Sequence, residues 1–159
     1  RGQTEILLRK VFLHKVAEEL RNELGPDMSE RGITLQIESP YGGWARLDEV
    51  KLKRALFNLA RNAAEAMPEG GEVKISFARE GEWLVIKVSD NGPGIPVEIR
   101  ENLFESFVTS GKKQGTGLGL AIVKKIAEDH QGSVSFETSS GAGTTFTLRL
   151  PIDPEQAPA

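Results

Sequence analysis

The sequence predicts an α+β fold: a two-layer α/β sandwich, with a mixed, mostly antiparallel sheet covered on one face by three helices. Three stretches carry apolar residues at helical spacing, and several others alternate apolar and polar residues as half-buried strands do. Glycine- and proline-bearing breaks separate them, and helices and strands are interleaved along the chain. The 159 residues fit one domain with a sizeable core.

The elements follow in order. A short strand is expected at 5–8 and a helix over 11–24, where Leu13, Val16, Ala17, Leu20 and Leu24 share one side. Gly25-Pro26 is expected to end that helix. GITLQIE (32–38) reads as a strand and SPYGG (39–43) as a turn. A second helix over 48–67 buries Leu52, Leu56, Leu59 and Ala63, and PEGG (68–71) stops it. Val73, Ile75 and Phe77 mark one strand and Leu84, Ile86 and Val88 the next, joined by REGE. An irregular span follows from 90 to 117. A third helix is expected over 118–130 with Gly132 as its stop, and SVSFET and TTFTLRL close the chain as a hairpin around SSGAG.

Composition narrows the function classes. Net charge is −3 without a basic cluster, which argues against a nucleic-acid groove. No cysteine is present, so disulfides, thiolate metal sites and cysteine nucleophiles are excluded. That is compatible with a reducing compartment. No stretch approaches the roughly 20 apolar residues of a membrane span, and no signal peptide is visible. Beginning at Arg1 and trailing off in DPEQAPA, the chain reads as a domain excised from something longer.

Four places do not read as core. In the second helix Arg54, Asn58, Arg61, Asn62 and Glu65 lie off the apolar face. Asparagine is a poor choice for mid-helix because its side chain competes for backbone hydrogen bonds. Asn58 and Asn62, one turn apart, are either part of a solvated stripe or two amides facing a ligand, with a carbonyl oxygen available to a hard cation. SDNGPGIP (89–96) follows a strand and bares backbone at Gly92 and Gly94 beside the Asp90 carboxylate. A tight turn explains Asn91-Gly92, but the phrase is longer than a hairpin needs.

The third place is FVTSGKKQGTGLGL, where glycines 115, 117 and 119 open a helix. Glycine costs a helix interior about 1 kcal/mol relative to alanine, so bare backbone there needs a reason. It is not a P-loop: Gly111-Lys112 is followed by Lys113, and position 106 is serine. Nor is it a dinucleotide fingerprint, which follows a strand directly. Phosphate binding still follows, because helix N-termini present unpaired N–H groups and glycine lets oxygens approach them. Lys112 and Lys113 add positive charge; a flexible loop is the bland alternative. The fourth place, SSGAGTTF (139–146), could hold only hairpin glycines.

In this order the four segments resemble the ATP-binding domain of the gyrase, chaperone, histidine kinase and mismatch-repair ATPase superfamily, with its Bergerat-type fold. The nearest resemblance is to the catalytic domain of two-component sensor histidine kinases. NLARNAAEAM looks like the N box, DNGPGI the first glycine box, FESF (104–107) a short F box, GTGLGL the second glycine box and GAGTTF the third. The resemblance implies residues 1–152 as catalytic domain and 153–159 as a flexible tail.

It also implies roles. Asp90 would accept the adenine amino group, with Gly92, Gly94 and Ile95 around the base and Thr145 near it through water. Asn62 would ligate Mg²⁺, and Asn58 would face metal and phosphates, the two forming the catalytic pair. Lys112, Lys113, Gly115, Thr116, Gly117, Leu118 and Gly119 would close on the phosphates of ATP, with 105–114 as a short lid. The resemblance implies phosphoryl transfer to a histidine on a phosphoacceptor domain upstream in the full-length chain, then to a response regulator receiver domain. The domain would be cytoplasmic and monomeric, without nucleic-acid or membrane contact, in a homodimeric protein for which the resemblance allows a membrane anchor. A serine kinase of the anti-sigma-factor type, or a nucleotide-binding module without transfer activity, are the competing classes.

Some positions depart from the family. Hydrolysing relatives carry a glutamate where Asn58 stands, and asparagine cannot act as a general base. Glu65 stands where many histidine kinases have a basic residue, which leaves phosphate contacts to Lys112, Lys113 or Arg61. Ser106 replaces an F-box proline. His14 and His130 are the two histidines present, and neither has the context of an acceptor box.

Overall fold

A computed structural model describes residues 5–105 and 118–156. Its elements are β1 (Arg9–Phe12), α1 (Leu13–Glu30), β2 (Ile33–Glu38), β3 (Trp44–Leu47), α2 (Glu49–Ala66), β4 (Gly71–Glu80), β5 (Trp83–Asp90), α3 (Leu118–Asp129), β6 (Ser133–Ser139) and β7 (Gly143–Pro151). The main sheet has the order β2-β4-β5-β7-β6, with β2 and β4 parallel and the other neighbours antiparallel. β1 and β3 form a separate antiparallel ribbon.

Register builds the core. Phe77 pairs with Ile86, Ile75 with Val88, and Ile86 with Leu148, so one apolar face runs across the strands. The helices meet that face with Leu13, Leu20 and Met28 from α1, Leu52, Leu56 and Leu59 from α2, and Val123 and Ile126 from α3, all buried. Lys53 of α2 ties the two longer helices together, reaching Glu19 at 2.9 Å and Glu23 at 3.2 Å. Asp48 caps α2, accepting from the Lys51 N–H at 3.1 Å. Among the described residues, no helix is long and apolar enough to cross a membrane.

The structure corrects the sequence reading at several elements. The first strand is at Arg9–Phe12, not 5–8, and β3 is a strand the sequence does not announce, because the four residues of WARL show too little alternation. α1 starts at Leu13 and runs through Gly25-Pro26 to Glu30, with Pro26 inside the helix. Met28, fully buried, continues the stripe of Leu20 and Leu24 by one more turn. Gly25 removes the Cβ that a following proline would crowd, while beyond its chain neighbours and the helix backbone the space there is open. α3 ends at Asp129, and its stop is Gln131 rather than Gly132: Gln131 holds φ at +63°. Gln131 N–H reaches Glu128 O at 2.9 Å and Gly132 N–H reaches Ala127 O at 2.8 Å, a Schellman end. Gly132 is needed for another reason, since a Cβ there would run into the Arg149 carbonyl. Within the stretch expected as a tail, Pro154 is buried, and Arg46 reaches Asp153 at 3.5 Å and Glu155 at 3.3 Å.

Candidate functional site

The site starts where β5 ends. Leu84, Ile86 and Val88 point to the helices, and alternation puts Asp90 on that same side. Its carboxylate is half-buried and accepts from the Gly92 N–H at 2.9 Å and from the Thr144 backbone. Burial pushes its pKa up from the ordinary aspartate value, and those two backbone bonds oppose the shift. No cation among the described residues pairs with it.

Backbone packing fixes the loop beyond Asp90. Gly94 sits at φ +90°, and a Cβ there would stand 2.5 Å from the Ser139 carbonyl oxygen. The loop is held to the β6–β7 turn by Gly141 N–H to Pro93 O at 2.8 Å and Ile95 N–H to Thr138 Oγ1 at 2.9 Å. Gly143, at φ +91°, lies where a Cβ would strike the Asp90 carbonyl. A Cβ on Gly92 would stand 2.9 Å from Met67 Cγ, so the loop rests on the C-terminal end of α2.

α2, which meets this loop at Met67, carries the other candidate residues. Asn58, Asn62 and Glu65 form a half-buried line along one flank, while Arg54 and Arg61 are exposed. The sequence reading grouped all five; the structure separates them. Arg61 instead shares a groove with Glu23, Leu24, Asp27, Arg31 and Phe57 on the α1 side. Asn58 Nδ2 donates to Gly119 O at 3.3 Å, which brings the first turn of α3 to the asparagine line. The Asn62 side chain makes no hydrogen bond among the described residues.

Thr145 does not join this group. It lies across from Ser89, on the far side of the sheet, with the two hydroxyl oxygens 2.8 Å apart. Thr144 is the threonine beside Asp90: it is the register partner of Asp90, buried, and its Oγ1 lies 2.9 Å from Thr138 Oγ1. The signal was in the sequence, since Phe146, Leu148 and Leu150 mark the helix-facing positions and 144 keeps their parity.

Lys112, Lys113, Gly115, Thr116 and Gly117 lie outside the described residues, as does most of the expected lid, and Leu118 enters only as the first residue of α3. Just before that stretch Phe104 packs on Phe136 and Phe146, with ring centroids 5.9 and 6.2 Å away. His130 is fully buried with both ring nitrogens engaged, and His14 Nε2 lies 3.2 Å from Ser39 O.

Residues 47–154 match the family of histidine kinase-, DNA gyrase B- and HSP90-like ATPases. The chain is 42% identical over 158 residues to the C4-dicarboxylate transport sensor protein DctS of Rhodobacter capsulatus, covering 96% of this chain and 24% of that protein. It is 43% identical over 124 residues to sporulation kinase B of Bacillus subtilis, covering 77% and 29%. It thus spans about a quarter of the length of these relatives. Among solved structures, the catalytic domain of histidine kinase ThkA superposes with a TM-score of 0.84 at 32% identity, covering 94% of this chain and 98% of that one. Full-length ShkA in complex with AMPPNP gives 0.81 at 30% identity, covering 93% and 32%. Histidine kinase ThkA in complex with the response regulator TrrA gives 0.80 at 27% identity, covering 95% and 43%. The chain belongs to the histidine kinase-, DNA gyrase B- and HSP90-like ATPases, as a catalytic ATP-binding domain of the sensor histidine kinase kind.

Proposed function

We propose that this domain binds ATP with Mg²⁺ between α2 and the 90–95 loop, and serves as the phosphoryl donor to a histidine on an acceptor domain of a larger sensor kinase. The observation that carries the reading is Asp90: a half-buried carboxylate with no described cation partner, at the start of a loop that rests through Gly92 on Met67 at the end of α2, the helix that carries Asn58 and Asn62. A buried acceptor held by two backbone N–H groups suits a neutral donor such as an exocyclic amine. The Gly94 backbone leaves a flat floor beside it. The sequence reading gave Thr145 the water-mediated contact; the position of Thr144 supports moving that role to Thr144.

The donor set also suits Mg²⁺. That ion prefers oxygen ligands and keeps several waters, and the Asn62 amide oxygen would be one ligand among phosphate oxygens and water. Once bound, the metal would neutralise charge on the phosphates. Asn58 spends its amide N–H on Gly119 O and cannot take a proton from water, so hydrolysis should be slow. With Arg61 on the α1 side, Lys112 and Lys113 are the cations proposed for the phosphates. Transfer needs a nucleophile held in line with the γ-phosphorus, so its rate depends on the acceptor domain. A response regulator receiver domain would then take the phosphoryl group, as the ThkA–TrrA complex suggests by analogy. We further propose a cytoplasmic place for the domain within a homodimeric protein.

The test is radiolabelled ATP with this chain alone and with the acceptor domain added. The chain alone should bind ATP without becoming labelled. The added acceptor should acquire acid-labile label, weakly and in proportion to concentration, because no tether raises its local concentration. Label on this chain that vanishes in His14→Ala or His130→Ala would overturn the reading.

A further inference from the structure

The N-terminal end of α2, far from the glycine loop, is a buried junction of three parts of the chain. The Leu7 N–H, just before β1, donates to Asp48 Oδ2 at 3.0 Å, while Asp48 Oδ1 caps α2 through Lys51. The Asp48 N–H in turn donates to His130 Nε2 at 3.0 Å, and His130 Nδ1 lies 2.8 Å from Ile126 O. A carbonyl oxygen can only accept, so Nδ1 carries the ring proton and Nε2 offers its lone pair. The imidazole is therefore neutral, in one tautomer, with no place for a second proton. Asp48 is 7% exposed and His130 0%, so water does not substitute for these bonds.

α2 and α3 run antiparallel, and they touch through polar groups at both ends of α3. At one end Asp48 meets His130, with Lys51 and Asp129 3.7 Å apart beside them. At the other, Asn58 meets Gly119. A helix of twelve residues is about 18 Å long and stiff over that length, so a change of seating at His130 is carried to the Gly119 end. That end borders the asparagine line.

We propose that His130 is a positioning residue for the nucleotide site: through the Asp48–His130 junction, the segment entering at Leu7 and the nucleotide-facing end of α3 bias one another. This rests on the nucleotide reading above. Coupling of this kind is reciprocal, so nucleotide should alter the Leu7 hydrogen bond as much as that bond alters nucleotide affinity. The charged groups facing His130 are Asp48 and Lys51 from α2 and Asp129 from α3. Burial, the largest influence, holds the imidazole pKa below its ordinary value. A proton forced onto Nε2 would set N–H against N–H and open the junction.

The experiment measures ADP·Mg²⁺ affinity by calorimetry and exchange of the Leu7 amide by NMR, in the parent, His130→Ala and His130→Gln. Glutamine can accept with its oxygen and donate with its nitrogen, so it can mimic the neutral ring but cannot titrate. ADP should change Leu7 protection severalfold in the parent. His130→Ala should lose that response and bind ADP about five- to tenfold more weakly, and His130→Gln should recover most of both. Between pH 7 and pH 5 the parent should lose affinity relative to His130→Gln; protonation of ADP itself is common to both and cancels. A lowered melting temperature in His130→Ala with unchanged ADP affinity overturns the inference. If that variant does not fold, parallel pH profiles for the parent and His130→Gln overturn it. A parent that binds no ADP overturns the nucleotide reading and this inference with it, whereas binding indifferent to residue 130 removes the inference alone.

Discussion

At Asp90 the half-buried carboxylate faces backbone N–H groups of Gly92 and Thr144 and no described cation, so the fold carries a charge that burial disfavours. A folded-state pKa raised above the unfolded one means stability that is present at low pH and lost as pH rises through the folded value. Asp90→Asn should therefore raise the urea midpoint of the nucleotide-free domain at pH 7. The same change puts an amide donor toward the exocyclic amine, and ATP should bind about 10- to 100-fold more weakly, as for loss of a hydrogen bond to a charged group. Calorimetry and denaturation on one preparation check both halves. Asn62→Ala should leave the fold intact and abolish the strengthening of ATP binding by Mg²⁺, which titration with and without the metal would show. Much of the candidate site is legible in the sequence: Asn58, Asn62, Asp90, Gly92 and Gly94 stand out as residues the core does not use. Thr144 does not, because a motif match cannot choose between adjacent threonines. The parity of Phe146 and Leu148 can.

Among the elements, α1 shows packing overriding local preference. Proline inside a helix forfeits a backbone bond and costs about 3 kcal/mol by intrinsic preference. The turn persists because Met28, fully buried, anchors it to the core. Met28→Ala should destabilise the domain by about 2–5 kcal/mol, and amides 27–31 should exchange faster than the rest of α1 in hydrogen-exchange measurements. Gly132→Ala should cost about 1–3 kcal/mol by overpacking against the Arg149 carbonyl, although its own φ is not in the left-handed region. A Gln131→Gly change should instead stabilise, since Gln131 is the residue at φ +63°. These cases mark what the sequence could and could not tell. Long periodic stretches such as α2 and β4–β5 announce themselves through many repeats of one spacing. β1 and β3 are four residues each, and they exist because Val11, Ala45 and Leu47 are buried in a core assembled from distant segments.

Across the whole molecule, stability should depend on pH through His130. Its folded-state pKa lies below the ordinary 6.5, so its contribution is complete above that value and falls away as pH drops toward the folded-state pKa. Urea midpoints measured from pH 8 to pH 5 should decline below about pH 6.5 in the parent, and less steeply in His130→Gln. The topology also has a seam. The turn between β4 and β5 places Gly81 at φ +63° with nothing within 4 Å of the place its Cβ would take. Before it come both asparagines; after it come Asp90, Gly94 and α3. A chain cut there would leave two fragments, each holding half of the contacts to one small molecule. ATP would then act as a molecular glue, favouring reassembly because it binds only the joined pair, and the two pieces could serve as a split reporter whose signal follows nucleotide concentration.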